Sequence, residues 1–167
     1  MNDLITRLKE ISSWNSFAAS LVQQSATRGL TQRQIDAAER MLGQRAKSGK
    51  VDLTHIMDMF EYQGSKRAKF YADGLVISTS RYPNVLYVVE IDNDVYQGKI
   101  DNGEFKAVAD ANPTTITRLQ NIAKDPLAAA VAYGKATGIC SCCGRELTNA
   151  VSIELGIGPI CRNKWGF

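Results

Sequence analysis

Two hydrophobic periods divide the chain near residue 64. Before that point apolar side chains recur every three or four positions, the spacing that places them on one face of an α-helix. Beyond it, short runs between residues 69 and 108 are rich in β-branched and aromatic residues. The pattern therefore predicts an α+β protein, in which N-terminal helices precede a central antiparallel β-meander.

Residues that typically begin and end helices mark four helices in the N-terminal part. Asn15 is suited to cap the second helix, and Gly29 to end it. Thr31 and Gln34 have the spacing of a capping box at the start of the third helix. Gly64 is expected to end the fourth.

Dipeptides that favour tight turns separate the β-rich runs: Asp73-Gly74, Pro83-Asn84, Asn93-Asp94 and Asn102-Gly103. Because such turns join neighbouring antiparallel strands, they predict a meander. Two more helices are expected after it, at residues 113–124 and 126–135. We expect three regions that form one compact unit: a helical region at 1–64, the sheet with its following helices at 65–136, and a metal-binding module at 137–167.

All four cysteines lie in the last thirty residues. Cys140 and Cys143 form a Cys-x-x-Cys-Gly turn, in which Gly144 can adopt the positive φ of a zinc knuckle. Cys161 follows Pro159, a residue suited to the first turn of a helix. A knuckle followed by a cysteine at a helix start predicts a treble-clef-like module that binds structural Zn²⁺.

A closed structural zinc site has four protein ligands, and the pattern supplies three at suitable spacing. Cys142 is included in the predicted ligand set, although it lies inside the knuckle. His55, the single histidine, is a further candidate if its helix packs on the module. An oxygen ligand from residues 149–152 or a water molecule would also complete the site.

The sequence favours a cytoplasmic, non-enzymatic protein. It has no signal-peptide pattern and no apolar stretch approaching the roughly 18 residues of a membrane helix, so we expect reduced thiols rather than disulfides. Common catalytic motifs, including those of nucleotide hydrolases, serine hydrolases, zinc proteases and deaminases, are absent from the sequence.

The C-terminal motif also resembles a known family. The pattern C-x-x-C-G-R-x-L-T, then Ser152, then G-x-G-P-x-C ending at Cys161, is similar to that of an uncharacterised protein family common in bacteriophage genomes. More loosely, residues 15–21 and 29–34 are similar to a helical segment at the front of many such proteins. The resemblance implies a phage-encoded, zinc-binding protein of the host cytoplasm with a nucleic-acid role, and it implies no catalytic residues.

Basic residues next to aromatic ones suggest what the protein binds. Such residues neutralise phosphates and stack on unpaired bases, respectively. The candidates are three residues before and within the first strand and three around the cysteines: Lys66, Arg67, Lys69, Arg145, Arg162 and Lys164. We expect a non-catalytic accessory factor that binds single-stranded DNA or RNA.

The net charge of +3 is small for a dedicated nucleic-acid-binding domain. The alternative is therefore a protein-interaction module that docks on a host or phage protein and modulates or inhibits it, as counter-defence or host-takeover factors do. In that case zinc would serve only to fold the module.

Overall fold

The computed structural model describes residues 2–64 and 67–166 of the chain, which form two compact units. One unit reaches to Ala46 and the other begins at Lys47. Together they contain helices and one sheet, so the predicted α+β class is confirmed. The elements in chain order are α1 (Asn2–Ile11), α2 (Ser16–Thr27), α3 (Gln32–Ala46), β1 (Gly49–Lys50), α4 (Thr54–Gln63), β2 (Lys69–Ala72), β3 (Leu75–Thr79), β4 (Val85–Glu90), β5 (Tyr96–Asp101), β6 (Glu104–Ala107), α5 (Thr115–Lys124), α6 (Pro126–Thr137), α7 (Ala150–Leu155) and α8 (Pro159–Lys164).

The first unit is a bundle of α1, α2 and α3. The Asn15 side chain caps α2 by accepting a hydrogen bond from the Ala18 N–H at 2.9 Å. The predicted capping box opens α3, since the Thr31 N–H donates to Gln34 Oε1 at 2.9 Å. The apolar faces meet in a small core: Leu4, Leu8, Ile11, Ala18, Leu21, Ala38 and Leu42.

The second unit is built on a six-stranded antiparallel sheet with the order β1-β6-β5-β4-β3-β2. Two of the four predicted turns form as tight two-residue hairpins, whereas Pro83-Asn84 and Asn93-Asp94 lie in five-residue connections between β3 and β4 and between β4 and β5. Asp73 and Gly74 have φ of 46° and 70°, and Asn102 and Gly103 have φ of 50° and 77°. Two successive positive φ values match the twist of the flanking strands in a type I′ turn.

One face of this sheet forms the main core, and we call it the inner face. Its buried side chains are Phe70, Ala72, Leu75, Ile77, Leu86, Val88, Ile100 and Phe105. They pack with α4, which belongs to this unit, and with α5. The C-terminal module joins the same core through Trp165, whose ring lies 5.0 Å from Phe70 and 5.7 Å from Phe60 between centroids.

The cysteine knuckle also covers the free edge of β2. The Tyr71 N–H donates to the Ser141 carbonyl oxygen at 2.9 Å, and the Ser141 hydroxyl donates back to the Tyr71 carbonyl. An uncovered edge strand would offer these groups to another chain. The C-terminal module is thus attached to the sheet through both its backbone and its core.

Within residues 2–64 and 67–166, no helix has the length and apolar character needed to span a membrane.

Candidate metal centre and nucleic-acid interface

Three of the four cysteines converge at the C-terminal module. The Sγ atoms of Cys140, Cys143 and Cys161 all lie within 4.8 Å of one another. The knuckle holds the first two, because Gly144, at φ of 69°, donates its N–H to the Cys140 carbonyl oxygen at 2.9 Å. Pro159 begins α8 and places Cys161 in the first turn of that helix. The cluster can hold a metal ion.

The thiols of this cluster shift one another's pKa values. Hydrogen bonds from the thiols of Cys142 and Cys161, and a weaker one from the Gly158 backbone, hold the pKa of Cys140 far below its usual range. The same contacts to the Cys140 thiolate raise the pKa of Cys142 and of Cys161. The cluster alone thus favours one thiolate stabilised by neighbouring thiols. A divalent cation would favour deprotonation of all its ligands.

The candidates for a fourth ligand lie in different places. Cys142 is buried beside Cys140, but it does not join the group of sulfurs that are all within 4.8 Å of one another. His55 is exposed on α4 and does not join it either. A cavity of about 540 Å³ adjoins the three sulfurs, and Thr148, Asn149 and Ser152 supply oxygen atoms to its wall.

The predicted basic residues of this module divide into two groups. Arg145 and Lys164 are exposed and line the cavity beside the cysteines. Arg162 is half-buried on α8 and is not among the lining residues. Arg145 and Lys164 therefore place positive charge beside the cysteine cluster, next to the carboxylate of Glu146.

Strand register aligns a second set of basic residues across the face of the sheet opposite the inner face, which we call the outer face. Cross-strand neighbours follow one another from β2 to β6, and we call this line the basic row: Lys69, Ser78, Tyr87, Lys99 and Lys106. The side chains of Lys99 and Lys106 are 43% and 49% exposed. Lys69, a nucleic-acid-binding candidate predicted from the sequence, thus lies in one row with Lys99 and Lys106, which are distant from it in the chain.

Aromatic side chains accompany the basic row. Tyr96 is 41% exposed and packs edge-on against Tyr87, with ring centroids 6.0 Å apart. Burial raises the pKa of Tyr96, and the neighbouring Tyr87 adds to the effect. Farther along the same face, on the edge strand β2, Tyr71 stacks on Tyr133 of α6, with ring centroids 5.9 Å apart. The outer face thus combines positive charge with ring surface.

Carboxylates partly balance the basic row. Asp101 Oδ2 lies 2.8 Å from Lys106 Nζ and 3.6 Å from Lys99 Nζ. The hydrogen bond from Lys106 lowers the pKa of Asp101, and the same bond raises the pKa of Lys106. With three lysines and two carboxylates, Asp101 and its cross-strand neighbour Glu104, the row keeps a small positive balance.

A cleft lies at one end of the sheet, between α4 and the β3–β4 connection. It has a volume of about 870 Å³, and Arg67, Arg81, Tyr82 and Tyr87 line it together with the carboxylate of Glu61. The Arg81 guanidinium lies 4.9 Å from the centre of the Tyr82 ring. Tyr87 lines the cleft and also belongs to the basic row, whereas Phe60 and Leu86 of the same lining belong to the core on the inner face.

Sequence reasoning missed Arg81 and Tyr82, and the signal that could have found them is local. They form a basic-aromatic pair beside Pro83, in a hairpin connection that must be exposed. Of the residues that were predicted, Arg67 lines this cleft. Lys66 lies outside the described residues.

Comparison with known proteins gives one match, confined to the C-terminal part. Residues 130–166 match the model of a family of unknown function (DUF6011). The chain is therefore similar, over the segment that holds the cysteines, to an uncharacterised family. No curated protein and no solved structure matches.

Proposed function

We propose that this protein is a phage-encoded, zinc-binding accessory factor that binds single-stranded DNA or RNA without catalysis, in the host cytoplasm. The bound strand would follow the basic row on the outer face of the sheet and continue into the cleft at Arg67 and Arg81. The zinc module would hold the edge of that sheet in place.

The donor set supports zinc as the metal. Three cysteine sulfurs within 4.8 Å of one another suit a soft thiolate-binding ion, and zinc is the common structural ion of such knuckles. The module is tied to β2 at Tyr71 and to the core at Trp165. Metal binding would therefore stabilise the strand that begins the basic row.

The carrying observation for nucleic acid is the alignment of Lys69, Tyr87, Lys99 and Lys106 in one cross-strand row beside Tyr96. Single-stranded binding sites combine a positive track for phosphates with rings on which bases stack. Sheet faces with exposed aromatic side chains serve this purpose in known RNA-binding modules.

A matched pair of tyrosine variants tests the stacking. Labelled single-stranded oligonucleotides are titrated with protein at low salt, and binding is followed by fluorescence anisotropy. Loss of one stacked base costs about 1–3 kcal/mol, so Tyr96→Ala is expected to weaken binding roughly 5- to 150-fold. Tyr62 on α4 is 76% exposed and lies off the basic row, so Tyr62→Ala should bind as the wild type does.

Two lysine variants test the charge. Lys69→Ala should reduce the slope of log affinity against log salt by about 0.7, the value for one phosphate contact to a single strand. Lys124, exposed at the end of α5, provides the control, and its replacement by alanine should leave the slope unchanged. Equal slopes for all three proteins would contradict binding along this face.

A second candidate function rests on a different surface. Val151, Ile153 and Ile160 on α7 and α8 are 56%, 54% and 69% exposed. Exposed apolar side chains in one module favour a protein partner. If the protein docks on a host or phage protein through them, Ile160→Asp should abolish complex formation, and the complex should persist at salt concentrations that release oligonucleotides.

A further inference from the structure

The chain has a position from which it could readily supply a fourth ligand to the cysteine site, but no ligand stands there. Among His, Cys, Asp and Glu residues of the described segments, the group around this centre contains only Cys140, Cys143 and Cys161. Tetrahedral zinc coordinated by three thiolates has one more position to fill. The backbone at the start of α8 shows where a residue could supply this fourth ligand.

Gly158 stands where a fourth cysteine would be expected. It precedes Cys161 by three residues, the Cys-x-x-Cys spacing that the knuckle itself uses. A Cβ atom built on Gly158 would lie 4.0 Å from Cys140 Sγ, so a side chain here would reach the cluster. The backbone, at φ −65° and ψ 140°, is one that any residue adopts. Backbone strain therefore does not require glycine here.

The space next to this position is open, and its wall contains polar groups. The cavity of about 540 Å³ is lined by Gly158 and all four cysteines, and Ser152, only 5% exposed, contributes to its wall. A small molecule in the cavity would therefore meet both the metal and hydrogen-bonding groups.

We propose that glycine at position 158 leaves the fourth coordination position of the metal open, and that this position holds a water molecule which a small neutral nitrogen donor can replace. The inference rests on the metal binding proposed above. Three thiolates on a divalent ion give the metal with its ligands a net charge of −1, so at the metal itself a neutral donor is favoured over an anion, even though Arg145 and Lys164 line the cavity beside Glu146. Imidazole is the probe of this class.

Cobalt substitution makes the coordination visible, because tetrahedral Co²⁺ has ligand-field bands in the visible range and sulfur-to-metal charge-transfer bands in the near ultraviolet. The Co²⁺-loaded full-length protein is titrated with imidazole, and native mass spectrometry checks that cobalt stays bound. Three variants are compared with the wild type: Gly158→Ala, Gly158→Cys and Cys142→Ser.

The wild type and Gly158→Ala are expected to show a saturable shift of the visible bands with imidazole. Gly158→Cys should gain charge-transfer intensity for a fourth thiolate and lose the response. Cys142→Ser should keep both the intensity and the response, since Cys142 does not join the sulfur group.

Two results would overturn the inference. One is a wild-type cobalt protein that does not respond to imidazole. The other is a loss of charge-transfer intensity in Cys142→Ser, which would identify Cys142 as the fourth ligand. In either case the metal-binding proposal would stand. A protein that takes up neither cobalt nor zinc would instead refute both proposals at once.

Discussion

The contact between α6 and the end of α7 depends on two glycines. A Cβ atom added at Gly134 would lie 1.7 Å from the Gly156 carbonyl oxygen, and one at Gly156 would lie 2.4 Å from the Val131 carbonyl oxygen. Ordinary contact begins near 3.4 Å, so the two backbones would have to separate by about 1.7 Å. Neither obstacle is a side chain that could rotate away.

Gly134→Ala should therefore destabilise the second unit. Alanine gains about 1 kcal/mol over glycine in a helix, whereas overpacking of a well-packed contact costs about 1–3 kcal/mol and more where backbone must move. Because the clash here is with backbone, we expect a net loss of about 2 kcal/mol or more in the free energy of unfolding. That corresponds to roughly a 30-fold fall in the folded-to-unfolded ratio.

Urea denaturation of the zinc-loaded protein measures this loss. Trp165 is completely buried in the second unit, and in a Trp14→Phe background it is the single tryptophan that reports unfolding. Gly43 on α3 provides the control, because a Cβ there would meet nothing within 4 Å. Followed by circular dichroism, Gly43→Ala should be stabilised by about 0.4–1 kcal/mol. A Gly134→Ala protein as stable as its parent would refute the reasoning.

Two further predictions concern the metal and the acid stability. Cys143→Ser, or removal of the metal by a chelator, should unfold at least the last thirty residues. The unfolding would be seen as a change in Trp165 fluorescence and as faster proteolysis. A metal-free protein of undiminished stability would contradict this prediction. A hydrogen bond from Arg118, at 3.0 Å, lowers the pKa of Glu90 from its ordinary value of 4.5. The unfolded state therefore binds the proton more readily, so this stabilisation is present above pH 4.5 and is lost as the pH falls below that value. Glu90→Gln should make the free energy of unfolding fall less steeply as the pH decreases. A variant with the same pH profile as the wild type would exclude the ion pair as the cause of this pH dependence.

Local signals in the sequence were sufficient for most of the fold. The capping box at Thr31 and Gln34 and the paired turn residues Asn102 and Gly103 act through their own backbone, so they can be recognised without tertiary information. Strand β1 was missed for the opposite reason. It has two residues, Gly49 and Lys50, and exists through pairing with β6, which is more than fifty residues away.

The candidate sites divide in the same way. The cysteine spacing predicted three sulfurs that the structure brings together. The basic row depends on the register of four successive strand pairs and on a shift of that register between Val88 and Val89. The sequence specifies neither the register nor the shift. The role proposed for Gly158 combines a spacing visible in the sequence, three residues before Cys161, with a proximity to Cys140 that only the fold shows.

Native mass spectrometry of protein purified from bacterial cells without added metal, in a low-salt volatile buffer, tests the central proposal most directly. It weighs bound metal and co-purified nucleic acid in one spectrum. We predict a mass increment of one zinc per chain together with oligonucleotide, and loss of the oligonucleotide alone when the salt is raised. A metal-free chain, or a zinc-bound chain that takes up no oligonucleotide even when one is added, would contradict the account.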